Sequence, residues 1–244
     1  MRDFYFATCE HRDAVIALLT LHVVFLVYHF AGQAKGYSRL IGGKLHVRRT
    51  AVLSVVLQRL TGFLLYGVVP ALVIVFVFPE KLSRFGLSQT RSSLPFLGAT
   101  LFIFPLLIYF GSRSPKTQKK YPVIQVEKWN GVLVIINAAS WALYLLAYEF
   151  SFRGFLLFTL AGSFGTVPGL LVVTLIYTYV HLPKGAGETL AAFFFGALVG
   201  WIALRTGAIW APYFAHAVIA VSNDTFCILR REDRTFCFSR RNRS

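Results

Sequence analysis

Seven near-uncharged apolar runs follow one another along the chain, at 14–31, 60–78, 94–111, 131–148, 154–180, 187–204 and 206–222. Most reach the roughly 17 to 25 residues that a helix needs to cross a bilayer. Only 14% of the residues are charged, 56% are hydrophobic and the mean hydropathy is +0.62. A soluble domain carries about 25% charged residues, so the composition points the same way as the runs. The expected fold is all-α: a polytopic, multi-pass membrane bundle of about seven to eight transmembrane helices.

Residues 1–13 mix Arg2 and Arg12 with Asp3, Glu10 and Asp13, and no small-residue cleavage site follows the first run. The run 14–31 therefore reads as a retained helix rather than a signal peptide. The three cysteines, Cys9, Cys227 and Cys237, form no CxxC and suggest neither a disulfide framework nor a zinc knuckle.

The net charge of +15 is concentrated between the runs. Lys35, Arg39, Lys44, Arg48 and Arg49 lie in one loop, and Arg113, Lys116, Lys119, Lys120 and Lys128 in another. Arg230, Arg231, Arg234, Arg240, Arg241 and Arg243 crowd the tail. Basic loops between apolar helices are what retention at an anionic cytoplasmic leaflet produces. The expected partners are thus the lipid bilayer and a protein or peptide within it, with no nucleic acid. If 131–162 is one bent span, most of the 25 Lys and Arg fall on one side. That arrangement puts Glu149 and His181 near opposite faces of the bilayer, whereas two short helices would join them and even out the charge. Both arrangements stay open at this level. The expected organisation is N-terminal membrane helices and basic loops over 1–130, a helical core over 131–224, and an Arg-rich tail over 225–244.

Ionisable residues inside apolar runs are costly, at about 2.5 to 3.5 kcal/mol on the insertion scale, and usually mark a site. Glu149 and Arg153 sit four residues apart in Tyr148-Glu149-Phe150-Ser151-Phe152-Arg153-Gly154, on one helical face and in the favourable order for an ion pair. His181 and His216 recur downstream in equally apolar settings. Pro168 opens the helix carrying His181 and Pro183 stops it, so this imidazole lies near a helix end. Ala192, Gly196 and Gly200 make a ridge of small residues that permits close helix contact. Taken singly, a membrane Glu–Arg pair is as readily a structural clamp, and a lone His a packing residue; His22 and His29 read that way. The combination in this order lifts the catalytic reading.

The same residues resemble the CPBP group of intramembrane endopeptidases, which includes prenyl-CAAX endopeptidases and bacterial Abi-type proteins. Glu149 and Arg153-Gly154 are similar to its Glu-Glu-x-x-x-Arg-Gly, Tyr177-x-x-x-His181 to its aromatic-x-x-x-His, and His216 to the first residue of its His-x-x-x-Asn. The likeness covers roughly 145–224. It departs at Tyr148, where the pattern has a first Glu, and at Ala220, where it has Asn; Asn223 follows instead, seven residues and about 10 Å along the helix from His216. The resemblance implies a catalytic core in 131–224, in a bacterial plasma membrane, working without cofactor or metal. Glu149 and His181 would activate water, His216 would donate to the oxyanion with Asn223 assisting, and Arg153 would orient Glu149. Two His and one Glu also suit a zinc site. The alternative from another class is a non-enzymatic immunity or partner-binding protein on the same scaffold. A transporter is disfavoured because no internal repeat is seen.

Overall fold

The computed structural model describes residues 11–78, 80–88, 93–231 and 235–236. Cys9, Cys237 and the tail arginines 234, 240, 241 and 243 lie outside the described residues. Nine helices are found within them: α1 Arg12–Ala31, α2 Ala34–Ile41, α3 Val47–Phe76, α4 Leu94–Gly111, α5 Pro115–Lys120, α6 Gly131–Phe164, α7 Thr166–Tyr179, α8 Ala186–Thr206 and α9 Trp210–Arg230. The one departure from helix and loop is a two-residue parallel pairing of Lys128–Trp129 (β1) with Thr235–Phe236 (β2). The chain is an all-α polytopic bundle, as expected.

Among the described residues, six helical segments are long and apolar enough to cross a membrane: α1, α3, α4, α6, α7 with its following turn, and α8. This is fewer than the seven to eight expected. The run 206–222 does form a helix, α9, of 21 residues, but it carries His216, Asn223, Asp224 and Arg230 and is less apolar than the rest. The run 131–148 does not end where the charges begin. It continues through Glu149 and Arg153 to Phe164 as one helix of 34 residues, about 51 Å long at 1.5 Å per residue. The single-span arrangement is the one the chain adopts.

Local chemistry sets the ends. The Asn130 side chain caps α6 by accepting from Leu133 N at 2.9 Å, and prolines open α4 and α5, where no N–H is needed. Gly165 turns α6 into α7 at φ 91°, ψ 162°, a conformation essentially restricted to glycine. Just beyond it the two helices nearly touch: a Cβ on Gly169 would come within 2.7 Å of Ala161 N. The small-residue ridge works in the same way on α8. A Cβ at Gly196 would meet the Tyr177 ring at 2.8 Å, and one at Gly200 would meet Leu170 at 2.6 Å. Around the second half of α6, Phe152, Phe155, Leu156, Leu157 and Leu160 are fully buried with Tyr66 and Ile74. On the outside, α4 exposes Leu101, Phe102, Ile103, Leu106, Leu107 and Phe110, an apolar surface fit for lipid and too large for water. The protein is a multi-pass membrane protein.

Candidate active site

Both long bent helices pass through a π segment, Leu64–Val68 in α3 and Phe150–Leu156 in α6, and the two segments pack together. A π turn leaves carbonyls short of partners, and such turns are frequent at functional sites. Here Ser151 Oγ donates to the Tyr66 carbonyl at 2.5 Å, joining one segment to the other. Glu149 and Arg153 flank Ser151 and are both fully buried.

Arg153 Nη1 lies 3.2 Å from Glu149 Oε2 and donates to Oε1 at 3.4 Å. Its guanidinium lies over the Tyr177 ring of α7, 4.1 Å from the centroid. The other face of the carboxylate is taken by α9: His216 Nδ1 stands 2.6 Å from Glu149 Oε1. A carboxylate flanked by a cation accepts, so Nδ1 carries the hydrogen and Nε2 is left for the cavity. His216 keeps 17% side-chain exposure, and its ring is met edge-on by Tyr148 at 5.7 Å and Phe195 at 5.6 Å.

His181 follows the last turn of α7, before the 3₁₀ turn Leu182–Lys184. Its Nδ1 is 2.8 Å from the Tyr177 carbonyl, which can only accept, so here too Nδ1 bears the hydrogen and Nε2 the lone pair. Tyr177 thus touches three of the four: it holds His181 by its carbonyl, underlies Arg153, and meets His216 ring to ring at 6.5 Å.

A cavity of about 480 Å³ is lined by His181, His216, Tyr148, Ala220 and Asn223, among others. Glu149 is not on its wall. The resemblance implied that Glu149 and His181 activate water together; in the structure both imidazoles face the cavity and the carboxylate stands behind His216. Asn223 is on the wall, but its Nδ2 donates to the Ile219 carbonyl at 3.0 Å, a bond within its own helix. The zinc set of Glu149, His181 and His216 does not converge: among the described residues no group of three or more His, Cys, Asp or Glu is placed to hold a metal ion.

A second buried polar cluster was missed from the sequence. Arg59 on α3 is 3% exposed, and its Nη1 donates to Asn137 O at 3.1 Å, Asn137 Oδ1 at 2.9 Å and Ser140 Oγ at 2.8 Å. Its Nη2 lies 3.7 Å from Asp224 of α9, and Trp141 lies under its guanidinium at 4.0 Å. Asp224 accepts from Asn137 Nδ2, Trp141 Nε1 and Val123 N. The signal was present, two opposite charges in apolar surroundings. It was lost because the apolar runs were read as starting at 60 and ending at 222, which left both residues just outside them.

Residues 128–222 match the family model described as Type II CAAX prenyl endopeptidase Rce1-like, a match to less than half of the chain. No curated protein and no solved structure matches it. The matched stretch includes Glu149, Arg153, His181 and His216, and stops short of Asn223 and Asp224. All four of those side chains thus lie in the stretch over which the chain is similar to that endopeptidase family.

Proposed function

We propose that the protein is an intramembrane endopeptidase, hydrolysing a peptide bond of a membrane-associated protein or peptide in a bacterial plasma membrane. The observation that carries this reading is the 2.6 Å contact between Glu149 Oε1 and His216 Nδ1, with the rest of the imidazole turned to a cavity that His181 shares. A buried carboxylate on Nδ1 fixes the tautomer and orientation of an imidazole that acts through Nε2.

In this scheme His216 Nε2 takes a proton from water as the water oxygen attacks the scissile carbonyl. Glu149 shares the positive charge that forms on the ring, and Arg153 holds the carboxylate in place. His181 Nε2 accepts from the same water and orients it. When the tetrahedral intermediate collapses, the C–N bond breaks and His216 returns the proton to the departing amine. Glu149 therefore acts through His216 rather than on water directly, because its oxygens already face Arg153 and His216. The first substrates to try are peptides with a lipidated C-terminal segment, the kind that the matched family's description suggests.

The test is cleavage of such peptides by purified protein in bilayers, with Glu149→Gln and His216→Ala beside the wild type. Loss of cleavage in folded variants is expected; cleavage that survives either change sinks the scheme. Activity that falls in chelator and returns with zinc would instead favour a metallopeptidase. The second reading, a binding protein on this scaffold, is favoured by Tyr148 and Ala220, which line the cavity where the family pattern has a carboxylate and an amide.

A further inference from the structure

We propose that Tyr148 is a catalytic residue of this site, its phenol O–H donating to the oxygen of the carbonyl under attack. The inference rests on the endopeptidase reading above and begins from a count of hydrogen-bond donors. Attack by water turns the carbonyl oxygen into an oxyanion, and a donor aimed at it is commonly worth about 10²- to 10³-fold in rate. The donors of Arg153, His181, His216 and Asn223 are either committed or off the cavity wall. His181 spends its N–H on the Tyr177 carbonyl and presents a bare Nε2. His216 spends its N–H on Glu149, and its Nε2 must be bare to receive the proton from water. Arg153 is fully buried, turned to Glu149 and Tyr177, and off the cavity wall. Asn223 gives its amide to Ile219 and lies about 10 Å along α9 from His216.

Tyr148 is free of such commitments. Its side chain lines the cavity beside both imidazoles, and among the described residues no group hydrogen-bonds its hydroxyl. That oxygen is not among the side-chain atoms sealed in protein without a partner, so it opens to the cavity. Of the tyrosines on the wall, Tyr148 is the one whose ring meets His216. The ring is held firmly: stacked on Phe152 at 4.5 Å, and edge-on to Tyr66 at 5.4 Å and Tyr177 at 6.1 Å. A donor fixed before the reaction needs no reorganisation when charge develops, which is what an oxyanion site requires. Tyr148 precedes Glu149 on α6, so one turn of helix supplies both the group behind the base and the group before the oxyanion. A phenol is a poor base at neutral pH, with an ordinary pKa near 10, and for the same reason it keeps the proton that it donates.

The experiment compares wild type with Tyr148→Phe, which removes one oxygen and keeps the stacked ring. Beside kcat, taken per folded protein, two constants are read that do not depend on how much of the preparation is folded: KM for a cleaved peptide, and Ki for the matching phosphinic peptide, whose tetrahedral oxygens mimic the oxyanion. The expected result is a kcat lower by about 10²- to 10³-fold and a Ki raised by a similar factor, with KM held within about twofold. A kcat and Ki within about threefold of wild type would make the phenol a packing group and overturn the proposal, while cleavage by wild type leaves the endopeptidase reading standing. Should the wild type cleave none of the lipidated or plain membrane peptides and bind no phosphinic peptide, both readings fall together.

Discussion

Two buried arginines, each beside one buried carboxylate, end up with opposite characters. Arg59 sits among acceptors: Nη1 has three, Nη2 lies 3.7 Å from Asp224 without a hydrogen bond, and Asp224 itself receives three donors. Arg153 has a single carboxylate and an aromatic face, and its Nε and Nη2 meet no acceptor of adequate geometry among the described residues. Glu149 Oε2 also lacks a hydrogen-bond donor, and two imidazole nitrogens face open space beside it. Burial of polar groups is tolerated where they are satisfied, and each unsatisfied group in a native structure asks for a reason. The Arg59 cluster therefore reads as an anchor tying α3, α6 and α9 together, and the Arg153 cluster as a place kept ready for substrate. Charge in an apolar helix marks both; only the account of donors and acceptors separates them.

The sharpest way to break this contrast is to remove the proton chain at Glu149. Glu149→Gln keeps the shape but removes the counter-charge of the buried Arg153, so the melting temperature should fall too, and cleavage by the folded fraction should drop by about 10²- to 10⁴-fold. If the melting temperature drops while activity persists in the folded fraction, the Glu149 cluster is an anchor too. Asp224→Ala should do the reverse. It strands the Arg59 charge in the interior and should cost about 3 to 5 kcal/mol in unfolding free energy. Combining it with Arg59→Met should recover much of that loss; no recovery would show that the pair is not an anchor.

Gly196→Ala tests how the two halves communicate. The new methyl would press on the Tyr177 ring, which supports Arg153, His181 and His216. Overpacking of this kind costs about 1 to 3 kcal/mol, and kcat should fall alongside the melting temperature. A change in stability with kcat intact would mean that Tyr177 does not need its present position. The smallest effect is expected at the Lys120–Glu188 pair, 2.5 Å apart but half-exposed, whose loss in Lys120→Gln should shift stability by less than about 1 kcal/mol. A larger shift would add a third buried-type contact to the comparison.

Glu149, Arg153, His181 and His216 were legible because they lie within an apolar run or in a short gap between two runs, and Arg59 and Asp224 were not because they border a long gap and the tail. A charge at the end of a hydrophobic stretch looks like a loop residue until the helix is seen to begin earlier, at Val47, or to end later, at Arg230. The apparent conflict between one long span and a shared site has a similar origin. Glu149 and His181 lie the same number of residues before and after Gly165, so the turn at that glycine folds them back to one level. Hydropathy places helices along the chain but does not say how far each projects beyond the bilayer.

The sequence by itself determined the bundle of membrane helices, the four polar residues within it and the glycines that let helices approach. Those follow from one-dimensional facts: the length of an apolar run, the cost of a charge in lipid, the absence of a Cβ. Which carboxylate oxygen meets which imidazole nitrogen, which tautomer each histidine is held in, and that Glu149 stands behind His216 rather than beside the cavity were decided by tertiary structure. The reason is physical: a hydrogen bond depends on position to within a few tenths of an ångström. That precision comes from the packing of α6, α7 and α9 around Tyr177, and no spacing along the chain encodes it.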